Sequence, residues 1–162
     1  MITYTTLENV SHERLFDSFM KAFVGFRIVK EVDLPTFSEM LSSQNYDPRL
    51  SIGALDSDTG ELISFVLNSI QDHGDTAYVI LTGTVPDYRR CGIARTIFKQ
   101  IIELLKENQI KSYTTEVLKT NPAALNLYQS LGFEIQNEVT KTIKTLNGSR
   151  SVTEYKIVLN IR

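Results

Sequence analysis

Arg89, Arg90 and Arg95 stand around Gly92 in the stretch VPDYRRCGIARTIFKQIIELL, residues 85–105, of a 162-residue chain whose formal net charge is -2. A strand pattern turns into a long amphipathic helix pattern here. The first turn of a helix leaves about four amides without partners, and the aligned peptide dipoles place roughly half a positive charge there. Such a turn binds anions before any side chain contributes. Glycine lets an anion approach the backbone closely, and the arginines add full positive charge. A helix that follows a strand starts at the carboxyl edge of a sheet, where α/β folds bind ligands. The chemistry implied is capture of a phosphate-bearing molecule, with a pyrophosphate the natural guest. Alternatively, the arginines are solvated surface charges. Neither GxxxxGK(S/T) nor GxGxxG occurs in the chain, so the nucleotide P-loop and the dinucleotide fingerprint are both excluded.

The elements that must position this turn follow from hydrophobic periodicity. Residues 2–6 are a short strand. Ser11 caps a helix with Leu15, Phe16, Phe19, Met20 and Phe23 on one face. A second helix starts near Pro35, with Phe37, Met40 and Leu41 inward. Residues 50–56 and 61–70 form a hairpin through Ser57–Gly60. TAYVILTGTV, 76–85, is almost continuously apolar, the pattern of a central strand covered on both faces. The helix from about Gly92 to Lys106 carries Ile93, Ile97, Ile101 and Leu104 as a stripe, widened by Phe98, Ile102 and Leu105. KSYTTEVL, 111–118, is the next strand. Strand, helix and strand in succession make a βαβ unit with parallel strands. Asn121 then caps a helix with Pro122 as its first residue, and Gly132 supplies a left-handed stop. Two last strands, about 133–145 and 152–160, join through the Asn147-Gly148 turn. The fold class is α/β with a mixed sheet.

Composition excludes several functions. Hydrophobic residues make up 42% and charged residues 22%, an ordinary soluble balance with no basic field to recruit nucleic acid. One cysteine, Cys91, excludes an intrachain disulfide and a cysteine-built metal site. His12 and His73 are isolated from co-ligands, so no metal is expected. No apolar run approaches the ~18 residues of a membrane span, and the first residues lack a signal-peptide pattern. A single cytoplasmic domain, residues 1–162, is expected.

RRCGIA resembles the Q/R-x-x-G-x-G/A acyl-CoA signature of the GNAT superfamily of N-acetyltransferases. Arg89 stands at the Q/R position, Gly92 at the first glycine and Ala94 at the G/A position. NPAALNLYQSLGF, 121–133, resembles the family's second element, N-x-x-A-x-x-L-Y-x-x-x-G-F, through Asn121, Ala124, Leu127, Tyr128, Gly132 and Phe133. The two together cover about residues 75 to 135.

The resemblance implies a GNAT-like mixed central sheet with flanking helices and a splay between two parallel central strands, with acetyl-CoA threaded through the gap. The backbone of Val85 would bond the pantetheine and polarise the thioester carbonyl. The amides of Arg90, Cys91, Gly92, Ile93, Ala94 and Arg95 would hold the pyrophosphate. Asn121 would contact the pantetheine arm; alternatively it is a plain helix cap. Tyr128 would be the general acid that protonates the departing thiolate, since a phenol is protonated at neutral pH; alternatively it is a core aromatic. Glu116, twelve residues before Tyr128, stands where N-terminal protein acetyltransferases of the superfamily place a catalytic glutamate, with Thr115 replacing their leucine. It would be the base; alternatively it is structural and water carries the proton. Strand alternation puts Glu116 on the face opposite Tyr113 and Thr115. Cys91 occupies a variable position of the signature, which argues against a nucleophile.

The expected reaction is direct acetyl transfer to a primary amine. A small amine, an amino acid and a peptide N-terminus are all open as acceptors. The stretch Phe23, Phe26, Arg27, Lys30, Glu31, Asp33 and Phe37, between and on the first two helices, favours no class. A non-catalytic acyl-CoA sensor is the alternative. Exposed strand edges in the C-terminal hairpin also allow a homodimer.

Overall fold

Ser11 starts the first helix as its position predicts: its hydroxyl accepts from the Arg14 amide at 3.2 Å. In the computed structural model, which describes residues 1–26 and 31–162, β1 (Ile2–Thr6) leads into α1 (His12–Ala22). Asp33 caps α2 (Leu34–Ser43) through the Thr36 amide, with Pro35 in the first turn. Arg27 and Lys30 lie outside the described residues. The next strands are β2 (Ile52–Asp56), β3 (Leu62–Gln71) and β4 (Thr76–Thr84). β2 starts later than predicted because Asp47 caps a single 3-10 turn, Pro48–Leu50. Then come α3 (Ile93–Glu107), β5 (Ser112–Leu118), α4 (Pro122–Ser130), β6 (Glu134–Thr145) and β7 (Gly148–Asn160).

The strands form one seven-stranded sheet in the order β1-β2-β3-β4-β5-β7-β6. β4 and β5 are parallel; every other neighbouring pair is antiparallel. On one face, α1 and α2 bury Leu15, Phe19, Phe37 and Leu41 against Phe65 and Leu67 of β3. On the other, α3 buries Ile93, Ile97, Phe98, Ile101 and Leu105 against Val66, Ala77, Val79 and Tyr113. Removal of this apolar area from water is the main stabilising contribution.

The strand covered on both faces is β3, buried from Leu62 through Ser69, and not β4. In β4 only Ala77 and Val79 are fully buried, and the residues from Ile80 to Thr84 are half-exposed. The apolar run was misleading because this end of β4 has lost its neighbour. The final turn also differs from its prediction. Leu146 and Asn147 form it, while Gly148 already pairs with Thr145 and takes a φ of 127°. Among the described residues no helix is long and apolar enough to cross a membrane.

Candidate active site

Past β4 the chain makes one 3-10 turn, Pro86–Tyr88, and then enters the arginine-glycine segment. Arg90 and Gly92 both take left-handed conformations, with φ of 61° and 76°. The curl this imposes leaves the amides of Arg90, Cys91, Gly92, Ile93, Ala94 and Arg95 without an acceptor among the described residues, the first protein-bonded amide being Thr96 to the Gly92 carbonyl at 3.1 Å. Six unpaired donors at a helix N-terminus form an anion nest. A β-carbon on Gly92 would meet nothing within 4 Å, so the positive φ, rather than space, is what calls for glycine. A cavity of about 330 Å³ opens on this turn, walled by Thr84, Tyr88 and Gly92 on one side and by Ala123 and Leu127 of α4 on the other.

The arginines are not equivalent. Arg89 lines the cavity and is held by backbone carbonyls: its Nη2 donates to the Ala22 carbonyl at 2.6 Å and its Nε to the Thr84 carbonyl at 3.1 Å. It ties the last turn of α1 to the end of β4. Arg95 donates to Ser130 Oγ at 2.8 Å and fixes α4 beside α3. Arg90 is exposed and has no partner among the described residues. The Cys91 thiol is exposed and meets the Arg89 carbonyl at 3.4 Å.

The gap lies between β4 and β5. These strands pair only at Thr76, Ala77 and Tyr78, opposite Ser112, Tyr113 and Thr114. A bulge at Ile80 follows, where the β3–β4 register shifts between Leu67/Asn68. A bulge bends the strand that carries it, and β4 then leaves β5. The Val85 amide donates to the Ile63 carbonyl at 2.8 Å. It is therefore committed to β3, which corrects the expectation that it polarises a bound carbonyl. Antiparallel strands alternate the direction of their amides. Thr84 and Thr82, in the register positions between those bonded to β3, turn their amides to the gap instead.

Asn121 caps α4 through its side-chain oxygen, which accepts from Ala124 at 3.2 Å. α4 sets Tyr128 against Phe98 and Phe133, each at 5.2 Å between ring centres. Tyr128 is 5% exposed, and its hydroxyl has no hydrogen bond among the described residues. Burial pushes the phenol up from its usual range, so it is protonated at neutral pH.

Glu116 alternates away from Tyr113, Thr115 and Val117, which face α3. It is half-buried on the α1–α2 face, where the Tyr78 hydroxyl donates a hydrogen bond to its Oε2. Tyr128, in the core beneath α3, and Glu116 thus lie on opposite faces of the sheet. Tyr78 was missed in the sequence because nothing local marks it. The available signal was its parity within β4, two residues before Ile80. His12 Nδ1 is 3.1 Å from Ser38 Oγ, and His73 lies in the turn before β4. Among the described residues no cluster of His, Cys, Asp and Glu has the form of a metal site.

The structure therefore combines a pair of parallel strands that separates after three residues, a run of acceptor-less amides at the start of α3 and a buried tyrosine on α4. Residues 12–133 match the profile of the Acetyltransferase (GNAT) family, and the chain belongs to that family. Among curated relatives, the [Ribosomal protein bS18]-alanine N-acetyltransferase of Escherichia coli is 32% identical over 81 residues, 50% of this chain and 51% of that protein. The match spans about half the length of that relative. The solved ribosomal-protein-S18-alanine N-acetyltransferase from Escherichia coli superposes with a TM-score of 0.77 at 22% identity, covering 99% of this chain and 94% of that one. The NatC complex bound to Gag peptide and CoA superposes at 0.71 with 22% identity, each chain 99% covered. These two structures share the fold.

Proposed function

We propose that this protein is an N-acetyltransferase that moves the acetyl group of acetyl-CoA to the α-amine of a protein or peptide. The observation that carries the proposal is the gap itself: β4 and β5 stop pairing at Tyr78, and six acceptor-less amides lie at the base of that opening. The nest is the seat for a pyrophosphate. The amides of Thr82 and Thr84 take the roles expected of Val85: one bonds the pantetheine and one stabilises the oxyanion. A single preorganised donor of that kind is worth roughly 3 kcal/mol. The Asn121 side-chain nitrogen, uncommitted among the described residues, is the further contact for the pantetheine arm.

The amine approaches from the α1–α2 face. Its nitrogen attacks the thioester carbon and loses a proton to Glu116. The carbon–sulfur bond breaks, and Tyr128 gives its proton to the departing sulfur from the α3–α4 face. Solvent then returns a proton to Tyr128 and removes one from Glu116. Holding both reactants in one gap removes the entropic penalty of encounter, worth up to ~7–11 kcal/mol in favourable cases. The protein acceptor is supported by the curated relative, named for acetylating a ribosomal protein at alanine, and by the NatC complex, solved with a peptide. The free outer edge of β6 offers a surface for the expected homodimer, which sedimentation of the intact chain tests.

The test is release of free thiol from acetyl-CoA with a panel of peptides and small amines, beginning with alanine-initiated peptides. Rapid release with peptides and slow release with small amines is the expected result. Stabilisation by acetyl-CoA with no release for any amine would identify a sensor instead.

A further inference from the structure

Tyr78 occupies the vertex of the gap. It is the last residue of β4 paired to β5, opposite Thr114, and its side chain lies on the same face as Glu116, two residues further along β5. Beyond this pair no backbone bond joins the two strands, so Glu116 stands on a strand whose neighbour has diverged. Two side-chain ties cross the opening. Thr115 Oγ1 reaches the Val79 carbonyl at 3.3 Å on the α3 side, and Tyr78 reaches Glu116 on the other.

We infer that Tyr78 is a positioning residue for acetyl transfer: its hydroxyl holds Glu116 Oε2 and leaves Oε1 as the oxygen that receives the amine proton. This rests on the proposal that Glu116 is the base. Three observations support it. Tyr78 is the only hydrogen-bond donor to the Glu116 side chain among the described residues, and Oε1 has no partner there. The cations nearby are engaged elsewhere or not in contact: Lys141 pairs with Glu154 at 2.8 Å, and Lys156, opposite Glu116 in register, makes no ion pair with it among the described residues. The direction of the bond is also fixed. Burial, the bond to Glu116 and the charges of Glu116 and Glu154 all push the Tyr78 phenol up, so it is protonated and able to donate at neutral pH. A carboxylate with one oxygen held rotates less, and the geometry of proton transfer is kept near the productive one.

The experiment is a double-mutant cycle with Tyr78→Phe, Glu116→Gln and the double variant, assayed by thiol release with an alanine-initiated peptide and with acetyl-CoA binding measured in parallel. Tyr78→Phe removes one oxygen atom and keeps the ring. Expected is a fall in kcat of about ten-fold or more, the scale of a hydrogen bond to a charged group, with acetyl-CoA affinity and melting temperature within error of wild type. The double variant is expected to be no slower than Glu116→Gln alone. An unchanged kcat in Tyr78→Phe would overturn the inference, as would multiplicative losses in the double variant or a parallel loss of acetyl-CoA affinity. If Glu116→Gln itself keeps full turnover, the base assignment fails first, a distinguishable result that removes this inference with it. A crystal structure of Tyr78→Phe supplies a readout independent of any acceptor: a Glu116 side chain spread over several rotamers supports the inference, and one unmoved from its wild-type rotamer contradicts it.

Discussion

The two edges of β4 have opposite fates. Toward β3 the strand pairs from Thr76 to Thr84 across one bulge, and Val85 extends the bonding to Ile63. Toward β5 it pairs at three residues and then departs. The first edge is built for close packing: a β-carbon on Gly83 would come within 2.7 Å of Phe65 Cζ and 3.1 Å of Ala22 Cβ. The second edge keeps its amides unpaired, a condition that costs free energy unless something else bonds them. One strand therefore anchors the fold with one edge and leaves the other open. Stability and chemistry are separable by substitution on the two sides.

The largest effect expected is on the open side. Tyr128→Phe removes the proposed proton donor and is expected to lower kcat by about 10²–10⁴-fold, with acetyl-CoA affinity and melting temperature little changed. Unchanged turnover in the thiol assay would take Tyr128 out of the acid role. On the closed side, Gly83→Ala overpacks the α1 contact at a cost of about 1–3 kcal/mol. A melting temperature lower by roughly 5 °C is expected, with kcat per folded molecule kept within a few-fold; a loss of kcat without a loss of stability would blur the distinction between the edges.

Gly92→Ala sharpens the comparison at the base of the gap. The residue has φ of 76°, and a left-handed conformation costs an alanine about 1–2 kcal/mol. Relaxation of that strain would turn the neighbouring amides, so acetyl-CoA is expected to bind several-fold more weakly by calorimetry while the paired edge of β4 keeps its amide-exchange protection. The smallest effect concerns the tie from this segment back to β2. The Tyr88 hydroxyl donates to Asp56 Oδ2 at 2.6 Å, which holds the Asp56 carboxyl below its usual range and pushes the Tyr88 phenol up to about 12. A depressed carboxyl stabilises the fold above its unfolded pKa and loses that contribution as pH falls through the folded value. A raised phenol stabilises below its unfolded value near ~10 and loses the contribution as pH rises toward its folded one. Tyr88→Phe is expected to melt slightly below wild type at neutral pH, with the difference vanishing in strong acid and in strong alkali. A difference constant across pH would assign the contact to packing alone.

Much of this was legible in the sequence because it is local. Gly92 between a strand and a helix, the Asn121-Pro122 start of α4 and the Gly132 stop are short-range patterns, and each element formed where its pattern stands. The alternation of β5 was enough to put Glu116 across the sheet from Tyr113. What escaped depends on register between strands. Whether Val85 or Thr84 faces the gap is a matter of parity, set by the pairing with β3, and a one-residue change of register exchanges them. Tyr78 meets Glu116 only because pairing ends beside them. The engagement of Arg89 with α1 was equally hidden, since Ala22 lies 67 residues away in the chain. The apolar run of β4 failed for the same reason: a strand leaving its neighbour keeps an apolar sequence but loses its cover.

The claim on which the rest depends is that the opened edge of β4 and the nest beneath it hold acetyl-CoA. Thermal denaturation of the intact chain with increasing acetyl-CoA tests it most directly. A ligand at a hundred times its Kd stabilises the folded state by about 2.7 kcal/mol, which for a domain of this size raises Tm by roughly 5–10 °C. A saturable rise of that order, weakened in Gly92→Ala, is the predicted result. No rise at millimolar acetyl-CoA, or an equal rise in Gly92→Ala, would contradict the account.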